Sequence, residues 1–191
     1  IFDIKPSQAD NEFSKKYVSE LIEDFKATQN VVNFVNANSD LPYDSAWKAR
    51  KDVPVELEKV IFDDNNEVGF VYGPYENEGY YNIAKIMELD NTGEEPKARI
   101  AVIAHEITPS TVTYQNVFAE ANRFVTENTT AEEFNKAVEE QGLQKRSFPS
   151  LRTTTNFITG LNNPRQIVRW AFDENTKVGD MSTIFDLDNM Y

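Results

Sequence analysis

The chain has 191 residues, of which 40% are hydrophobic and 12% aromatic, and its formal net charge is −13 at pH 7. This composition is sufficient for two small cores, whereas nucleic-acid binding needs a basic stripe that the acidic chain does not offer. The chain has no cysteine, which excludes disulfides and thiolate metal sites and is compatible with an oxidising envelope compartment. No apolar run reaches the roughly 20 residues that span a bilayer.

Residues 1–90 predict one unit that begins with a short strand at Ile1–Ile4. Ser7 stands three residues before Asp10, a loose capping box that predicts a helix with an apolar stripe from Phe13 to Phe25. Further along, the sequence predicts a short helix capped by Asn30, a turn over Asn36–Tyr43 and a helix from Pro54 to about Phe62. After a break at residues 63–66, it predicts a turn and strand containing Gly69 and Gly73, and then a strand from Tyr80.

The remaining residues predict the same order of elements. Residues 91–97 are rich in turn-forming residues and are predicted to be a linker. The later predictions are a strand over Ala98–Ser110, a helix through Tyr114–Val125, a helix opened by the Thr130–Glu133 capping box and ended by Gly142, an irregular loop, and a helix from Pro164.

A sequence repeat supports two units. Pro54–Tyr81 returns 110 residues later as Pro164–Tyr191 without a gap, and a match at a fixed offset indicates one structural unit used twice. We therefore predict unit 1 at residues 1–90 and unit 2 at residues 98–191. The first copy continues into an apolar strand after Tyr81, whereas the second ends at Tyr191. We expect the parent protein to continue, so that unit 2 here lacks its closing strand.

Several segments carry a resemblance to a known family. VPVELEKVIFDDNNEVGFVYGPY followed by YYNIAKI, and PRQIVRWAFDENTKVGDMSTIF, resemble the helix and terminal hairpin of the parvulin family of peptidyl-prolyl cis-trans isomerases. Together with DIKPS, FVNANSD, KARIAVIAHEITPS and GLNNPRQIVRWAF, they resemble the PpiD/SurA-type periplasmic foldases of Bacteroidetes-type bacteria. The resemblance implies an α+β fold of two parvulin-like (FKBP-like) units, each a small antiparallel sheet covered by helices.

The chain departs from the family at the catalytic positions. Parvulins use a histidine in an A-R-H opening and another in a closing G-Y-H strand, but Ile100 follows Ala98-Arg99 here, and Asn82 follows Tyr81. The resemblance therefore implies two non-catalytic copies, with the active isomerase domain expected near residues 91–97 in the parent protein.

The residues themselves name few site candidates. His105 is the only histidine, so neither a histidine metal site nor a Ser-His nucleophile has enough partners, and we expect it to have a structural or surface role. The glycines form no nucleotide-binding loop. We assign no catalytic, cofactor-binding or metal residue. Amphipathic rings line many peptide-binding grooves, and the first unit is rich in them; the candidates are Tyr43, Trp47, Tyr72, Tyr75, Tyr80 and Tyr81. The alternative is that most of these rings are core or loop anchors.

The function predicted from the family resemblance is a non-catalytic client-binding or scaffolding segment of a periplasmic peptidyl-prolyl isomerase and chaperone. Its partners would be unfolded or partly folded envelope proteins or a membrane secretion complex, with no cofactor and no nucleic acid. The resemblance places the parent protein at the inner membrane, anchored by an N-terminal helix outside this sequence. The alternatives are a stable accessory subunit of a secretion or outer-membrane assembly, and a weak peptidyl-prolyl isomerase.

Overall fold

A computed structural model of the protein describes residues 1–62 and 67–191, which form two compact units. The sheet unit comprises Ser7–Thr108, and the helical unit combines Ile1–Pro6 with Pro109–Tyr191. The α+β class predicted from the sequence is confirmed. The helices are α1 (Gln8–Glu20), α2 (Ile22–Ala27), α3 (Val31–Asn38), α4 (Val55–Phe62), α5 (Thr111–Glu127), α6 (Ala131–Glu140) and α7 (Arg165–Ala171), and the strands are β1 (Trp47–Ala49), β2 (Val71–Asn77), β3 (Tyr80–Asp90) and β4 (Lys97–Glu106).

The units divide at other residues than the sequence predicted. The boundary expected at residues 91–97 is wrong, because those residues connect β3 to the start of β4 and the two strands pair antiparallel along nearly their whole length. Residues 98–108 therefore belong to the sheet unit, and Ile1–Pro6 belongs to the helical unit. The expectation of an isomerase domain near this connection in a parent protein stays a prediction.

Both faces of the antiparallel sheet, whose strand order is β1-β4-β3-β2, are covered. Side chains alternate between faces along a strand. On one face, Ile83 of β3 and its cross-strand partner Ile103 of β4 are fully buried. They pack against residues of α1, α2 and α3, namely Val18, Phe25, Val31 and Val35. On the other face, Leu57 and Ile61 of α4 pack on a second cluster that contains Ile86, Ile100 and Ala98.

A buried lysine links β3 to α2. Lys85 follows Ile83 by two residues and lies among the same helices, where its Nζ donates hydrogen bonds to the carbonyl oxygens of Phe25 (2.8 Å) and Lys26 (2.9 Å). The last carbonyls of a helix have no partner within the helix, so the ammonium group satisfies two of them. Burial lowers the pKa of Lys85.

The helix-capping predictions are largely confirmed. Ser7 and Asp10 form the predicted capping box of α1, Asn30 caps α3, and Thr130 and Glu133 form the predicted box of α6. The long first helix is divided at Leu21 into α1 and α2. The predicted strand at Ile1–Ile4 is reduced to one bridge between Asp3 and Met190. The predicted break at residues 63–66 lies outside the described residues.

The sequence repeat is visible as repeated local structure. A helix follows Pro54 and Pro164, and each proline carbonyl accepts from the amide four residues later, at 3.0 Å and 3.1 Å. Each copy then turns at its Val-Gly pair, where Gly69 has φ 95° and Gly179 has φ 98°. Only glycine adopts such angles without steric cost. Beyond this turn the copies diverge, because the first continues as β2 whereas the second remains irregular.

The repeat also extends to backbone pairing. Ile4 and Ile107 both stand three residues before a helix-capping serine, Ser7 and Ser110. The amide of Ile107 donates to Gly79 at 2.9 Å, and the amide of Ile4 donates to Asn189 at 2.9 Å. Because Asn189 is the repeat counterpart of Gly79, the segment Ile1–Ile4 takes in the helical unit the place that β4 takes in the sheet unit.

The Ile83–Ile103 pair predicts a measurable loss of stability on truncation. Ile83→Ala removes buried methyl groups from a site where β3 has neighbours on both sides, so we expect the free energy of unfolding to fall by about 2–5 kcal/mol. Val55→Ala is the matched control, because Val55 is 74% exposed and its truncation is expected to cost within about 0.5 kcal/mol. Urea unfolding followed by circular dichroism measures both changes. If Ile83→Ala lowered the free energy of unfolding by no more than Val55→Ala does, the described core would be contradicted.

Candidate functional site

The helical unit contains an apolar cavity of about 450 Å³. Rings from three separate segments meet there. Phe124 of α5 lies edge-on to Phe134 of α6, with ring centroids 5.6 Å apart, and to Phe2, at 5.7 Å. Aliphatic side chains complete the lining, among them Val138, Leu161, Ile167, Ile184 and Leu187. Ligand sites in proteins are mostly apolar cavities of roughly 300–1,000 Å³, so this one qualifies as a candidate binding site.

Three helices and two irregular segments hold the lining in place. The cap at Ser110 starts α5, and the capping box at Thr130 starts α6. The segment after α7 returns past the cavity and ends in a two-way backbone pair, in which Phe2 and Tyr191 exchange hydrogen bonds of 2.8 Å and 2.9 Å. The ring of Tyr191 also meets that of Phe118 at 5.3 Å. The cavity therefore lies beside the end of a short antiparallel pairing.

The aromatic residues predicted as a peptide-binding set do not form one surface. Tyr43 and Tyr81 pack against the core that contains Ile83, whereas Tyr72 and Tyr75 pack on the opposite face of the sheet with Leu57 and Ile61. The phenol of Tyr75 is buried, and this burial, assisted by the charge of Glu56, raises its pKa.

Two members of the set lie away from these cores. Trp47 is the one exposed member of the set, at 39%, and the guanidinium of Arg99 lies 4.9 Å from its ring centroid. Tyr80 is half-buried at the start of β3. The structure thus uses several of these rings as core and strand anchors, and peptide binding by the set stays a prediction.

His105 lies in a small polar cluster on the sheet unit. Its Nδ1 is 3.0 Å from Oδ2 of Asp40, an oxygen that also accepts from the backbone amide of Glu106 at 2.8 Å. The ring of Tyr17 covers the imidazole at a centroid distance of 4.3 Å. Asp40 is therefore the orienting partner that the sequence did not reveal. Among the described residues, the hydrogen bonds of His105 include no serine or threonine hydroxyl, so the cluster has no assigned nucleophile.

The described residues offer neither a metal site nor a membrane-spanning helix. In residues 1–62 and 67–191, no group of three histidine, aspartate or glutamate side chains is placed to hold a metal ion. No helix in the same ranges combines the length and apolar character needed to cross a membrane. The apolar cavity therefore remains the strongest candidate site in the described part of the chain.

Comparisons with protein-family models, with curated proteins and with solved structures found no match to this chain. The candidate site therefore depends on the geometry alone. Sequence reasoning missed the cavity, although one signal pointed towards it. The second repeat copy keeps apolar residues at Met181, Ile184 and Phe185 without forming the strand that contains their counterparts in the first copy.

The cavity wall formed by α6 is expected to weaken in acid. Hydrogen bonds from the side chain and backbone of Thr130 hold the pKa of Glu133 below its ordinary value of 4.5. A lowered carboxylate pKa stabilises the fold above the ordinary pKa, and this contribution is lost as the pH falls through the folded-state pKa. Glu133→Ala should therefore lower the unfolding temperature at pH 7. At a pH below the folded-state pKa of Glu133, the same substitution should lower the unfolding temperature by less.

Glu132→Ala is the matched control for this change, because it removes the same charge from the same first turn of α6 but leaves the capping box intact. We expect it to lower the unfolding temperature at pH 7 by less than Glu133→Ala does. Equal effects of the two variants at pH 7, measured by thermal unfolding followed by circular dichroism, would show that the hydrogen bonds of Glu133 contribute nothing.

Proposed function

We propose that the chain is a non-catalytic, client-binding segment of a periplasmic foldase related to the parvulin-type peptidyl-prolyl isomerases. Its clients are unfolded or partly folded envelope proteins, which it holds through exposed apolar side chains. The observation that carries this proposal is the apolar cavity of the helical unit, about 450 Å³ in volume. Unfolded chains expose the aliphatic and aromatic side chains that such a surface removes from water.

The charge of the chain supports binding without aggregation. A formal net charge of −13 keeps molecules apart in solution while an apolar cavity remains open. Large exposed apolar side chains also occur elsewhere on the helical unit, including Phe148, Phe157 and Phe172. Exposed apolar surface of this kind is typical of proteins that bind other polypeptides.

The residues at the catalytic positions of the resembling family support a non-catalytic role. Asn82 and Ile100 occupy the two places where parvulins carry histidines, and both lie buried in the sheet. Asn82 donates its side-chain amide to the carbonyl of Tyr80 at 3.0 Å. Neither side chain can act as a general acid or base near neutral pH.

The proposal predicts suppression of aggregation. A denaturant-unfolded test protein diluted into buffer with an equimolar amount of this chain should scatter less light than with the same amount of an inert acidic protein. Trp47→Ala is expected to leave the suppression unchanged, because Trp47 lies in the sheet unit and not at the cavity. Scattering equal to that with the inert protein would contradict the proposal.

Three other results would point to a different binding surface or to the alternative functions. Loss of suppression in Trp47→Ala would assign client binding to the aromatic set of the sheet unit. An isomerisation rate on a proline peptide that is above background and disappears in His105→Ala would identify an isomerase instead. Recovery of the chain with one stoichiometric membrane complex, without suppression, would favour an accessory subunit.

A further inference from the structure

Strand β4 has one edge that another strand covers only in part. Its pairing with β1 is limited to residues 97–99, where Arg99 lies opposite Trp47. Among the described residues, no strand pairs with this edge from Ile100 to Glu106. The unpaired backbone groups of an edge strand are a template for a strand of another molecule, so proteins protect such edges against association.

Alternate residues of β4 direct their backbone groups towards this free edge. Opposite residues of an antiparallel ladder alternate between hydrogen-bonded and non-hydrogen-bonded pairs. Ile86 of β3 lies opposite Ile100, but its amide donates to the carbonyl of Phe70 at 3.0 Å and its carbonyl accepts from the amide of Gly69 at 2.7 Å. The backbone groups of Ile86 therefore point away from β4. By the same alternation, the residues of β4 that face the free edge are Ile100, Val102, Ala104 and Glu106.

The segment Ser39–Asp40, which we call the strap, lies at the end of this edge. The amide of Asp40 donates to the carbonyl of Ala104 at 2.9 Å, and Oγ of Ser39 accepts from the amide of Ala104 at 3.0 Å. Oδ2 of Asp40 accepts from the amide of Glu106 at 2.8 Å, and Oγ of Ser14 in α1 donates to the carbonyl of Glu106 at 3.4 Å. Side chains thus take the positions that the backbone of a paired strand would take.

The sequence after the strap keeps it from continuing as a strand. Pro42 has no amide proton to donate to β4. The amide of Ala46 donates to Oδ1 of Asp44 at 2.8 Å, within its own turn. Strand pairing with β4 starts only at Trp47. Residues 41–46 therefore connect the strap to β1 without forming a strand beside β4.

The strap limits the length of edge that is open to pairing. With the strap in place, residues 100–103 have no strand or strap beside them, whereas without it the open stretch would be residues 100–106. The longer stretch reaches the ordinary strand length of about 5–6 residues. Its sequence, IAVIAHE, is rich in isoleucine and valine and contains neither proline nor glycine, a composition that favours strand association.

We propose that the strap protects the free edge of β4, and that two copies of the chain join through their β4 strands when the strap is released. A second copy fits because it presents the same groups, and an antiparallel pair about a two-fold axis satisfies both edges at once. In the register centred on Val102, Ile100 of one copy lies opposite Ala104 of the other. The inference does not depend on client binding by the helical unit.

Removal of the two side-chain acceptors of the strap tests the proposal. The double variant Ser39→Ala/Asp40→Ala takes away the acceptors of the Ala104 and Glu106 amides. In a dilute sample, these two amides should therefore exchange with solvent about tenfold faster or more than in the unchanged chain, as followed by NMR. At high concentration, sedimentation should give the double variant twice the mass of the unchanged chain. A folded double variant with unchanged mass at every concentration would overturn the inference.

The matched control is Asp44→Ala/Ser45→Ala. It removes the same two kinds of side chain and the same charge from the segment between α3 and β1, but the partners of Asp44 are Ala46 and Lys48, not β4. The control should change neither the mass nor the exchange of the Ala104 and Glu106 amides. Equal dimer formation in the control and in the strap variant would show that lost charge, not the open edge, causes the association, and would overturn the inference.

Amide exchange also locates the contact between the copies. On dimer formation, the amides of Ile100 and Val102 should exchange about tenfold more slowly, because each gains a partner across the new pair. Val102→Pro, added to the double variant, removes the central edge amide at a position where proline is tolerated, and it should restore the original mass. A dimer without slower exchange at Ile100 and Val102 would overturn the inference.

Two further measurements keep the test decisive. Circular dichroism identifies variants that keep the fold, and Asp40→Ala alone, which retains the bond of Ser39 to Ala104, gives the same test at Glu106 if the double variant unfolds. A double variant that stays a monomer alone but has residues 100–106 protected by an unfolded test protein would assign the edge to clients and overturn the inference.

Discussion

The pairing of β3 with β4 is the interaction on which the sheet unit depends. It places Ile83 and Ile103 opposite each other on one face and Ile86 opposite Ile100 on the other. Each face then binds its own helices, so one ladder supports two cores. Residues far apart in the chain, from α1 to α4, can bury their apolar stripes only because this ladder presents both faces to them.

The two copies of the repeat show how the same local rules lead to different outcomes. Proline at the helix start, the Val-Gly turn and the first backbone pairing recur in both copies. In the sheet unit, the chain continues as β3, and the side chains of β3 fill the interior. In the helical unit, residues 181–187 remain irregular and a cavity lies beside them. The site thus lies beside the segment in which the two copies differ.

The sequence predicted local structure well and long-range pairing poorly. The boxes at Ser7 and Thr130 were predictable, because a cap depends on residues three positions apart. The pairing of β4 with β3 was not predictable, because the turn-rich composition of residues 91–97 is typical both of a linker between units and of a connection between two strands. The division of the aromatic set between two faces was equally hidden, since it follows from the register of β2 on β3. The cavity needed tertiary structure, because its lining comes from segments separated by most of the chain.

The central claim is that the apolar cavity of the helical unit binds unfolded clients, and hydrogen–deuterium exchange tests it most directly. Exchange of the 191-residue chain would be followed by mass spectrometry with and without a saturating amount of a denaturant-unfolded test protein. The account predicts slower exchange in residues 179–187, which line the cavity, when the client is added, because a bound client shields backbone amides there from water, with no change in β3 and β4. Unchanged exchange in residues 179–187 at saturating client, or protection confined to the sheet unit, would contradict it.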